Sequence, residues 1–480
     1  MLSALPGELH GADVPVTGIT SGTSFVHPGD LFAGLPGSKA HGARFADDAI
    51  AAGAVAVLTD AAGRDPVRAG VPLLVVDDVR GRLGDIASLV YGNPSAKLDV
   101  LGVTGTSGKT TTTFLMEAGL RAAGRVSGLI GTVGIHIGDK ELKTAFTTPE
   151  APELQALFAV MVEAGVTDVA MEVSSHALSL GRVGGTRFKA AGFTNLSEDH
   201  LDFHPTMEDY FLAKASLFEV PPERSVVVID DDWGKRLAAQ FPASRTVSTK
   251  GDAAAWWAEE ITELPDGPSR FQVMPSGVRM GCAIPGRYNV ANAVLAIAML
   301  AEAGLAPESV AGAISAATVP GRMEPVSQGQ HFLALVDYSH KPAAVEGALA
   351  ALRPLTSGRL IIVLGCGGDR DRGKRPHMGE IAARNADVLI VTDDNPRSEN
   401  PADIRRAMLE GALAVPAGER GDVREIGDRR AAIRAAVDEA ESGDTVLIAG
   451  KGHELGQEIA GVIHPFDDRD ELRLALGNSR

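Results

Sequence analysis

The sequence predicts an α/β protein of three domains, and three observations support that prediction. A chain of 480 residues is too long for a single hydrophobic core, so about three domains are expected. Apolar residues make up 45% of the chain and charged residues 22%, the balance of a folded α/β protein. Short apolar runs of strand length alternate with segments of helical composition. We expect the domains to cover residues 1–97, 98–319 and 320–480.

Charge and cysteine content exclude several classes of protein. A formal net charge of −17 argues against a protein that coats nucleic acid. Two cysteines, Cys282 and Cys366, cannot build a disulfide framework, and neither has the His or Cys neighbours of a zinc site. There is no signal-like N-terminus and no uncharged apolar run of about 18 residues. We therefore expect a cytoplasmic protein without a signal peptide, membrane insertion or a nucleic-acid partner.

The first domain is expected to contribute binding and no catalytic chemistry. Residues 54–59 and 71–76 are apolar runs that predict strands, and the alanine-rich residues 45–53 predict a helix. Residues 29–32 and 34–37 are rich in turn formers and predict exposed turns. This domain therefore resembles a small α/β unit with no obvious reactive group.

The second domain shows a strand–helix rhythm that predicts a mostly parallel sheet covered by helices. A linker over 92–95 precedes it, and an alanine-rich helix is expected over 289–303. The predicted strands are residues 100–103, 169–173, 190–194 and 225–229.

The third domain repeats this rhythm and predicts a doubly wound sheet. Helical segments over 378–384 and 401–413 separate buried strands. The predicted strands are residues 360–364, 388–392 and 445–449.

A glycine-spaced turn between a strand and a helix is the strongest local motif. Gly105 and Gly108 let backbone N–H groups approach phosphate oxygens, and the helix that follows adds the positive end of its dipole. Lys109 can reach a terminal phosphate, and the Thr110 hydroxyl is a ready Mg²⁺ ligand. Only two residues separate the glycines, where the common phosphate-binding loop has four, so an ordinary glycine turn is the alternative. The Lys-Thr pair favours ATP binding.

Two strand ends of the second domain carry acids and histidines. Glu172 ends one predicted strand, and residues 194–204 place three acids and two histidines after the next. A Mg²⁺ or Mn²⁺ site and a charged surface loop are both consistent with that composition. Tyr210, Lys214 and Phe218 share a helix face, where spacing alone predicts a lysine that extends its amine to solvent.

Three strand ends of the third domain concentrate cations and one acid. Arg370, Arg397, Lys451 and Glu454 follow neighbouring predicted strands, so they converge on one sheet edge. Arginine offers a bidentate fork to a carboxylate, and a glutamate accepts from an ammonium. The edge suits a small molecule with carboxylates and amines, although any one of these residues could instead form a strand-end ion pair.

Taken together, these motifs resemble those of the Mur ligases of peptidoglycan synthesis. The resemblance covers nearly the whole chain, and the short Gly-Thr-x-Gly-Lys-Thr loop is that family's own variant. The matching segments are residues 105–111, 172–176, 195–204, 213–214, 286–292, 320–324, 337–342 and 394–397.

The resemblance implies an N-terminal α/β domain that binds a UDP substrate, a central P-loop ATPase-like domain and a C-terminal Rossmann-like domain that binds an amino acid. It implies catalytic roles for Lys109, Lys214, Glu172 and His200. It also implies two Mg²⁺ ions held by Thr110, Glu172, His200 and Lys214, the last as a carbamate formed with CO₂. The implied ATP contacts are Gly105, Thr106, Ser107, Gly108, Lys109, Thr110, Thr111, Asn289, Arg322 and Asp337.

The implied reaction joins meso-2,6-diaminopimelate to UDP-N-acetylmuramoyl-L-alanyl-D-glutamate by way of an acyl phosphate, in a monomeric enzyme. Thr23 and Ser24 stand where many family members have Ser-Arg, which affects the expected uridine contacts. The implied UDP-substrate contacts are Thr23, Ser24, Thr147, Thr148, Ser175 and Arg182. The implied diaminopimelate contacts are Arg370, Asp394, Asn395, Pro396, Arg397, Gly450 and Glu454.

Three alternatives stay open at this point. A lysine-adding Mur ligase would share every motif outside the acceptor edge. A folylpolyglutamate synthetase-like ligase would share the last two domains, but the N-terminal domain and residues 394–397 argue against it. A non-catalytic P-loop NTPase would explain the glycine loop and leave the cationic edge unexplained.

Overall fold

The fold is given by a computed structural model that describes residues 1–37, 39–68, 70–144, 146–219, 222–264 and 268–478. The chain forms two compact units, residues 1–247 with 295–310, and residues 248–294 with 311–480. Three mixed, mostly parallel sheets organise these units, which confirms the predicted α/β class. Within the described residues, no helix is long and apolar enough to cross a membrane.

The first sheet lies at the N-terminus of the first unit, in the order β1-β5-β4-β3-β2, and only β1 runs antiparallel to its neighbour. Its apolar side chains pack with those of helix α2, and Leu31, Leu58 and Leu74 are fully buried. The elements are β1 (Glu8–His10), β2 (Gly18–Thr20), β3 (Asp30–Ala33), α1 (Ala46–Ala52), β4 (Ala56–Thr59), β5 (Leu73–Val75) and α2 (Val79–Val90).

The prediction of an exposed turn over residues 29–32 is wrong, because Asp30–Ala33 forms the buried strand β3. Gly29 does make the turn that precedes it, with a positive φ of 96°. The Asp30 carboxylate is satisfied inside this turn, where Oδ2 accepts from the His27 backbone N–H at 2.8 Å. The strand was missed in the sequence because it begins with a polar residue, Asp30, directly after a glycine.

The second sheet belongs to the first unit and has the order β13-β12-β11-β6-β10-β7-β8-β9. Its strands are parallel from β13 to β7, and β8 and β9 continue antiparallel. The strands are β6 (Asp99–Thr104), β7 (Ser127–Ile130), β8 (Ile135–Ile137), β9 (Lys140–Leu142), β10 (Asp168–Glu172), β11 (Ala190–Phe193), β12 (Arg224–Val228) and β13 (Arg245–Ser248). The helices are α3 (Lys109–Ala122), α4 (Ala151–Glu163), α5 (Ser175–Ser179), α6 (Met207–Glu219) and α7 (Asp232–Gln240).

The register of this sheet brings three strand ends to one edge. In the parallel ladders Glu172 of β10 pairs with Val103 of β6, and Phe193 of β11 pairs with Thr104. Because parallel strands end at the same edge, the glycine loop, Glu172 and the loop after β11 all leave the sheet together. This edge is the foundation of the candidate site in the first unit.

The second unit contains a three-stranded antiparallel meander and the third sheet, in the order β17-β18-β22-β19-β20-β21, parallel except at β17. Its strands are β14 (Trp256–Glu263), β15 (Ser269–Met274), β16 (Val278–Cys282), β17 (Glu324–Pro325), β18 (Leu333–Asp337), β19 (Leu360–Leu364), β20 (Val388–Val391), β21 (Asp422–Glu425), β22 (Thr445–Ala449), β23 (Gly456–Ile459) and β24 (Val462–Pro465). Its helices are α10 (Pro342–Leu352), α11 (Lys374–Asn385), α12 (Pro401–Ala414), α13 (Arg429–Asp438) and α14 (Asp468–Asn478). Two further helices, α8 (Arg287–Glu302) and α9 (Pro307–Ala316), each have residues in both units.

Helix α2, which packs on the first sheet, makes a close backbone contact with the turn before β11. A Cβ atom added at Gly84 would overlap the carbonyl group of Gly184. The neighbouring Ser95 hydroxyl accepts from the Arg187 backbone N–H at 3.1 Å, so this contact is fastened by hydrogen bonding as well. The absence of a side chain at Gly84 therefore sets how closely the first two sheets approach.

Replacing Gly84 with alanine is expected to lower the free energy of unfolding of the first unit by about 1–3 kcal/mol, because the added methyl group must displace backbone. The control is Gly347→Ala in helix α10, where a Cβ meets nothing within 4 Å. That control should stabilise by about 0.5–1 kcal/mol. Denaturant unfolding compares each variant with the unmodified chain, and an unchanged midpoint for the first unit in Gly84→Ala would contradict the packing argument.

Candidate active site

The glycine loop makes a sharp strand-to-helix turn at the centre of the second sheet. Gly105 and Gly108 have positive φ angles of 145° and 87°, and a Cβ at Gly105 would overlap the Thr194 hydroxyl. The Lys109 ammonium bends back over the loop and donates to the carbonyl oxygens of Gly105 at 2.8 Å and Thr106 at 3.0 Å. The loop therefore has the glycine-dependent shape predicted for a phosphate cradle.

The loop after β11 braces the glycine loop from the side. The Asn195 amide accepts from the Ser107 backbone N–H and donates to the Ser107 carbonyl, both at 3.1 Å. The Thr106 N–H donates to the Asn195 carbonyl at 2.9 Å, and the Thr106 hydroxyl accepts from the Ser197 N–H at 3.0 Å. Asn195 and Ser197 thus preorganise the loop backbone.

Lys214 lies inside the protein and not at its surface, so the prediction of an amine extended to solvent is wrong. Its side chain is 1% exposed, and Nζ donates to the Gly105 carbonyl oxygen at 2.7 Å. Nζ also lies 4.6 Å from the centre of the Tyr210 ring. Burial raises the pKa of the Tyr210 phenol, so this neighbour is uncharged near pH 7. The lysine amine is therefore placed directly against the glycine loop.

Glu172 is a buried carboxylate that, among the described residues, accepts side-chain hydrogen bonds from a single threonine. Its side chain is 1% exposed; Oε1 accepts from the Thr132 N–H at 2.8 Å and Oε2 from the Thr132 hydroxyl at 3.2 Å. Within the described ranges no cationic side chain pairs with it. Buried carboxylates usually pair with a cation or bind a metal, and Mg²⁺ prefers such oxygen ligands. This donor therefore fits a magnesium ion, as does the nearly buried Thr110 hydroxyl.

A cluster of aromatic rings lies above the braced loop. The His176 ring stacks on Phe203 with a centroid distance of 4.1 Å and meets His200 edge-on at 4.8 Å. His200 has a positive φ of 54°, and its Nε2 lies 3.2 Å from an Asp199 carboxylate oxygen. Burial lowers the pKa of His176 and of His204, which favours neutral rings. In the described part of the chain, no three His, Cys, Asp or Glu side chains form a ready metal cluster.

Three of the residues implied for the UDP substrate, Thr147, Thr148 and Arg182, lie in one hydrogen-bond network around Glu172. The Thr148 hydroxyl donates to the Glu172 carbonyl at 2.9 Å, and Arg182 donates to the Thr148 carbonyl at 3.2 Å. The hydroxyls of Thr147 and Thr132 are 3.0 Å apart. Ser175, at the start of α5, has a buried hydroxyl without a hydrogen-bond partner among the described residues. Sequence reasoning missed Thr132, because a threonine in a loop carries no distinguishing pattern.

Thr23 and Ser24 lie apart from that network, in a single helical turn after β2. The next residue, Phe25, lines a cleft of about 490 Å³ in the first unit. Asp30 of β3 and Tyr91, which directly follows α2, line the same cleft, and Glu153 lines it from helix α4. The role of Thr23 and Ser24 in binding the UDP substrate remains a prediction.

Two of the residues implied for the nucleotide lie close together in the second unit. The Asp337 carboxylate accepts from the Met323 N–H at 2.7 Å, next to Arg322. The Arg322 guanidinium stacks 4.2 Å above the centre of the Tyr338 ring. Asn289 is 2% exposed and donates to the Pro285 carbonyl at 2.7 Å, so its amide is already engaged within the chain.

The acceptor edge of the third sheet is built around a fully buried lysine. Lys451 Nζ donates at 3.0 Å both to the Asn395 amide oxygen and to the Glu454 carboxylate. The Asn395 amide nitrogen donates to the same Glu454 oxygen at 2.8 Å. The neighbouring Gly450 is also closely packed, since a Cβ atom added there would overlap the Asp394 carboxylate. These contacts hold Glu454 in a defined position at the strand ends.

The arginines of this edge are held to different degrees. Arg397 Nη1 donates to the Gly368 carbonyl at 2.7 Å, whereas Arg370 is exposed on the same glycine-rich loop. Glu399 anchors that loop: it accepts from the Asp369 N–H at 2.7 Å and pairs with Arg375 at 2.9 Å. The Arg375 guanidinium lowers the Glu399 pKa to about 2. The prediction that Arg370, Arg397, Lys451 and Glu454 follow three neighbouring strands is confirmed for β19, β20 and β22, and their roles as a binding site stay a prediction.

A buried ion pair that sequence reasoning missed supports this edge. Arg429 and Asp468 are both fully buried and share two hydrogen bonds of 2.7 Å. Arg429 also donates to the Ala449 carbonyl at the end of β22 and, at 3.5 Å, to the Asp393 carbonyl after β20. The pair therefore ties together the two strands that present the acceptor residues. No local pattern distinguishes it from surface charges.

Three stretches of the chain match families of Mur ligase domains. Residues 15–91 match the Mur ligase family, catalytic domain, residues 103–300 the Mur ligase middle domain, and residues 321–452 the Mur ligase, glutamate ligase domain. The chain belongs to the Mur ligase family of ATP-dependent ligases, and the three-domain α/β fold expected from the resemblance is confirmed. The exact boundaries 1–97, 98–319 and 320–480 stay a prediction.

The relatives define the particular branch of that family. UDP-N-acetylmuramoyl-L-alanyl-D-glutamate–2,6-diaminopimelate ligase of Streptomyces coelicolor is 55% identical over 471 residues, which cover 96% of this chain and 92% of the relative. A solved structure of a ligase with that name has a TM-score of 0.71 and 32% identity, covering 97% of this chain and 95% of its own. Folylpolyglutamate synthase of Mycobacterium tuberculosis has a TM-score of 0.60 at 18% identity over 76% of this chain and 91% of its own, a likeness of fold alone.

Proposed function

We propose that this chain is the ATP-dependent ligase that joins meso-2,6-diaminopimelate to UDP-N-acetylmuramoyl-L-alanyl-D-glutamate in peptidoglycan synthesis. The observation that carries the proposal is the cationic acceptor edge around Arg397 and Glu454, in a Mur ligase chain that also has the glycine loop. The first feature suits an amino acid with two carboxylates and two amines, and the second suits ATP. The 55% identity to the Streptomyces coelicolor ligase supports the same substrates.

The proposed reaction proceeds in two balanced steps. The D-glutamyl carboxylate attacks the γ-phosphorus of ATP, which releases ADP and forms an acyl phosphate. An amine of diaminopimelate then attacks the acyl carbon, loses a proton and displaces inorganic phosphate, which forms the amide. Lys109 and the N–H groups at the start of α3 offset the negative charge of the two approaching anions. Thr147, Thr148, Ser175 and Arg182 are proposed to orient the UDP substrate.

The donor set of the first unit, in which Thr110, Glu172 and Lys214 are buried, is proposed to hold Mg²⁺. Thr110, Glu172 and His200 would be ligands, and Lys214 would join them as a carbamate, in which CO₂ has added to the amine and a proton has left. Two bound Mg²⁺ ions would neutralise the phosphate charge as the phosphoryl group transfers. The buried Glu172 carboxylate, which pairs with no cationic side chain among the described residues, supports this assignment. The location in the cytoplasm and the monomeric state remain predictions.

Phosphate release in the presence of UDP-N-acetylmuramoyl dipeptide tests the proposed function. It should require both the dipeptide substrate and diaminopimelate, and a UDP-tripeptide should form in equal amount. A non-catalytic or purely regulatory P-loop NTPase would release phosphate without the amino acid or not at all. Phosphate release independent of diaminopimelate would therefore refute the proposal.

Replacing Glu172 with glutamine should lower kcat by about 100-fold while the Kd for ATP changes little, because the cation is needed most when charge builds up on the transferred phosphoryl group. The shape of the side chain and its Thr132 contacts are largely kept, so the loss would report the charge. The exposed Glu163→Gln, at the end of α4, is the matched control and should be active. A variant with weakened ATP binding and normal kcat would contradict this role.

A further inference from the structure

The hairpin formed by β23 and β24 is fastened to the acceptor loop, residues 394–397, at several points. The Gln457 amide donates to the Asp394 carbonyl at 2.7 Å, and the Glu458 N–H donates to the Asn395 amide oxygen at 2.9 Å. None of the predicted site residues lies on this hairpin. Its contacts with the acceptor loop nevertheless make it part of the same edge.

The hairpin holds the backbone of Arg397 in an uncommon conformation. Arg397 has a positive φ of 53°, a region that residues other than glycine rarely adopt. Its N–H donates to the Glu458 carbonyl at 3.0 Å, and its carbonyl accepts from the Ala460 N–H at 2.7 Å. Such a conformation persists only where the surroundings supply compensating bonds. Both backbone groups of Arg397 are therefore held by the hairpin.

The hairpin also holds the Arg397 side chain. Glu458 Oε2 lies 3.3 Å from Arg397 Nε, while Nη1 donates to the Gly368 carbonyl on the opposite side. A guanidinium group has five N–H donors in a rigid plane. These two contacts restrain the plane, and no other residue in the described part of the chain accepts a hydrogen bond from the terminal Nη atoms. Glu458 is thus bound to Arg397 by its main chain and by its carboxylate.

We propose that Glu458 is a positioning residue that sets the preference for an acceptor with a distal carboxylate. It does so by orienting the Arg397 guanidinium, and it touches no reacting atom. The inference rests on the proposed function, since it assumes that Arg397 binds the distal carboxylate of diaminopimelate. Because that contact is the same before and during the reaction, its loss weakens binding and spares the chemical step.

Whether the KM for diaminopimelate rises or falls when the Glu458 charge is removed distinguishes an orienting role from a competing one. If Glu458 instead competed with the substrate carboxylate for Arg397, removing its charge would tighten the binding of diaminopimelate. If Glu458 orients Arg397, removing its charge frees the guanidinium to leave its position and weakens binding. Glutamine keeps the shape of the side chain and a polar oxygen near Nε but loses the charge, so its effect should be intermediate.

The test compares Glu458→Ala and Glu458→Gln with the unmodified enzyme in steady-state phosphate release. We expect the KM for diaminopimelate to rise about tenfold in the alanine variant and about threefold in the glutamine variant, with kcat within about twofold. The very slow use of lysine, which has no distal carboxylate, should be unchanged. The discrimination between the two amino acids should therefore fall about tenfold.

Two matched controls separate this role from a general disturbance. Val462→Thr changes an exposed side chain on the partner strand of the hairpin, and Glu410→Gln removes an exposed charge from helix α12. Both should keep the KM of the unmodified enzyme. A lower KM in Glu458→Gln, or an equal loss with lysine and diaminopimelate, would overturn the inference. Failure of the proposed function would look different, because the unmodified enzyme would then show no diaminopimelate-dependent phosphate release.

Discussion

Replacing Lys214 with alanine is expected to remove nearly all ligase activity, a loss in kcat of about 10²–10³-fold. The amine lies 2.7 Å from the Gly105 carbonyl, against the loop proposed to hold the ATP phosphates. As a carbamate, this side chain would supply an anionic oxygen ligand to Mg²⁺, whereas alanine supplies none. The measurement is diaminopimelate-dependent phosphate release at saturating substrates.

Rescue by an added anion distinguishes a lost ligand from a damaged fold. The alanine variant leaves a space beneath Tyr210 that a short-chain carboxylate can enter, so acetate or propionate should restore part of the activity. Lys214→Met fills that space and should be inactive without being rescued. The exposed Lys143→Ala is the control and should be fully active. Undiminished activity of Lys214→Ala would refute the role.

The carbamate itself is best observed in electron density beyond Nζ, because carbamates decompose in acid and mass spectrometry can miss them. A crystal of the unmodified enzyme should show a planar three-atom extension at Lys214. An unextended amine in an active, CO₂-equilibrated crystal would contradict the proposed metal ligand.

Buried parallel strands were the most predictable part of the fold. Residues 360–364 and 445–449 form strands with the predicted bounds, because each is a largely apolar run that is buried on both faces. The glycine loop was predictable for a related reason, since its geometry is set by neighbours in sequence. Its strand, turn and helix follow one another within a few residues.

What escaped prediction depends on contacts between distant parts of the chain. The buried Lys214 amine donates to a carbonyl oxygen 109 positions earlier in the chain. The spacing of residues along its own helix cannot predict a contact with so distant a partner. The hairpin β23–β24 was missed because most of its side chains are exposed and do not alternate clearly. Asp30 was taken for a turn residue because only the folded chain shows its carboxylate bonded to His27. Local patterns therefore predicted the elements, and tertiary contacts decided the site.

The choice of acceptor should favour diaminopimelate over lysine by about 10⁴-fold in kcat/KM, because a site built for a polar group strongly rejects an analogue that lacks it. The two amino acids differ at the far end, where diaminopimelate carries a carboxylate beside the amine. Arg397 is held with most of its terminal donors available, and Arg370 adds a second cation on the neighbouring loop. Lysine would leave these guanidinium groups without an anion and bring its own ammonium close to them.

Arg397→Ala tests that assignment directly and should lose most diaminopimelate-dependent activity while ATP binding, measured without amino acid, persists. The matched control is Arg406→Ala, an exposed arginine on helix α12 outside the acceptor edge, which should keep the selectivity of the unmodified enzyme. The small activity with lysine should change little in Arg397→Ala. The selectivity should therefore fall because kcat/KM decreases for diaminopimelate alone. Comparable kcat/KM values for lysine and diaminopimelate in the unmodified enzyme would instead assign this chain to the lysine-adding branch. In that case the cationic edge would need a different anion as its partner.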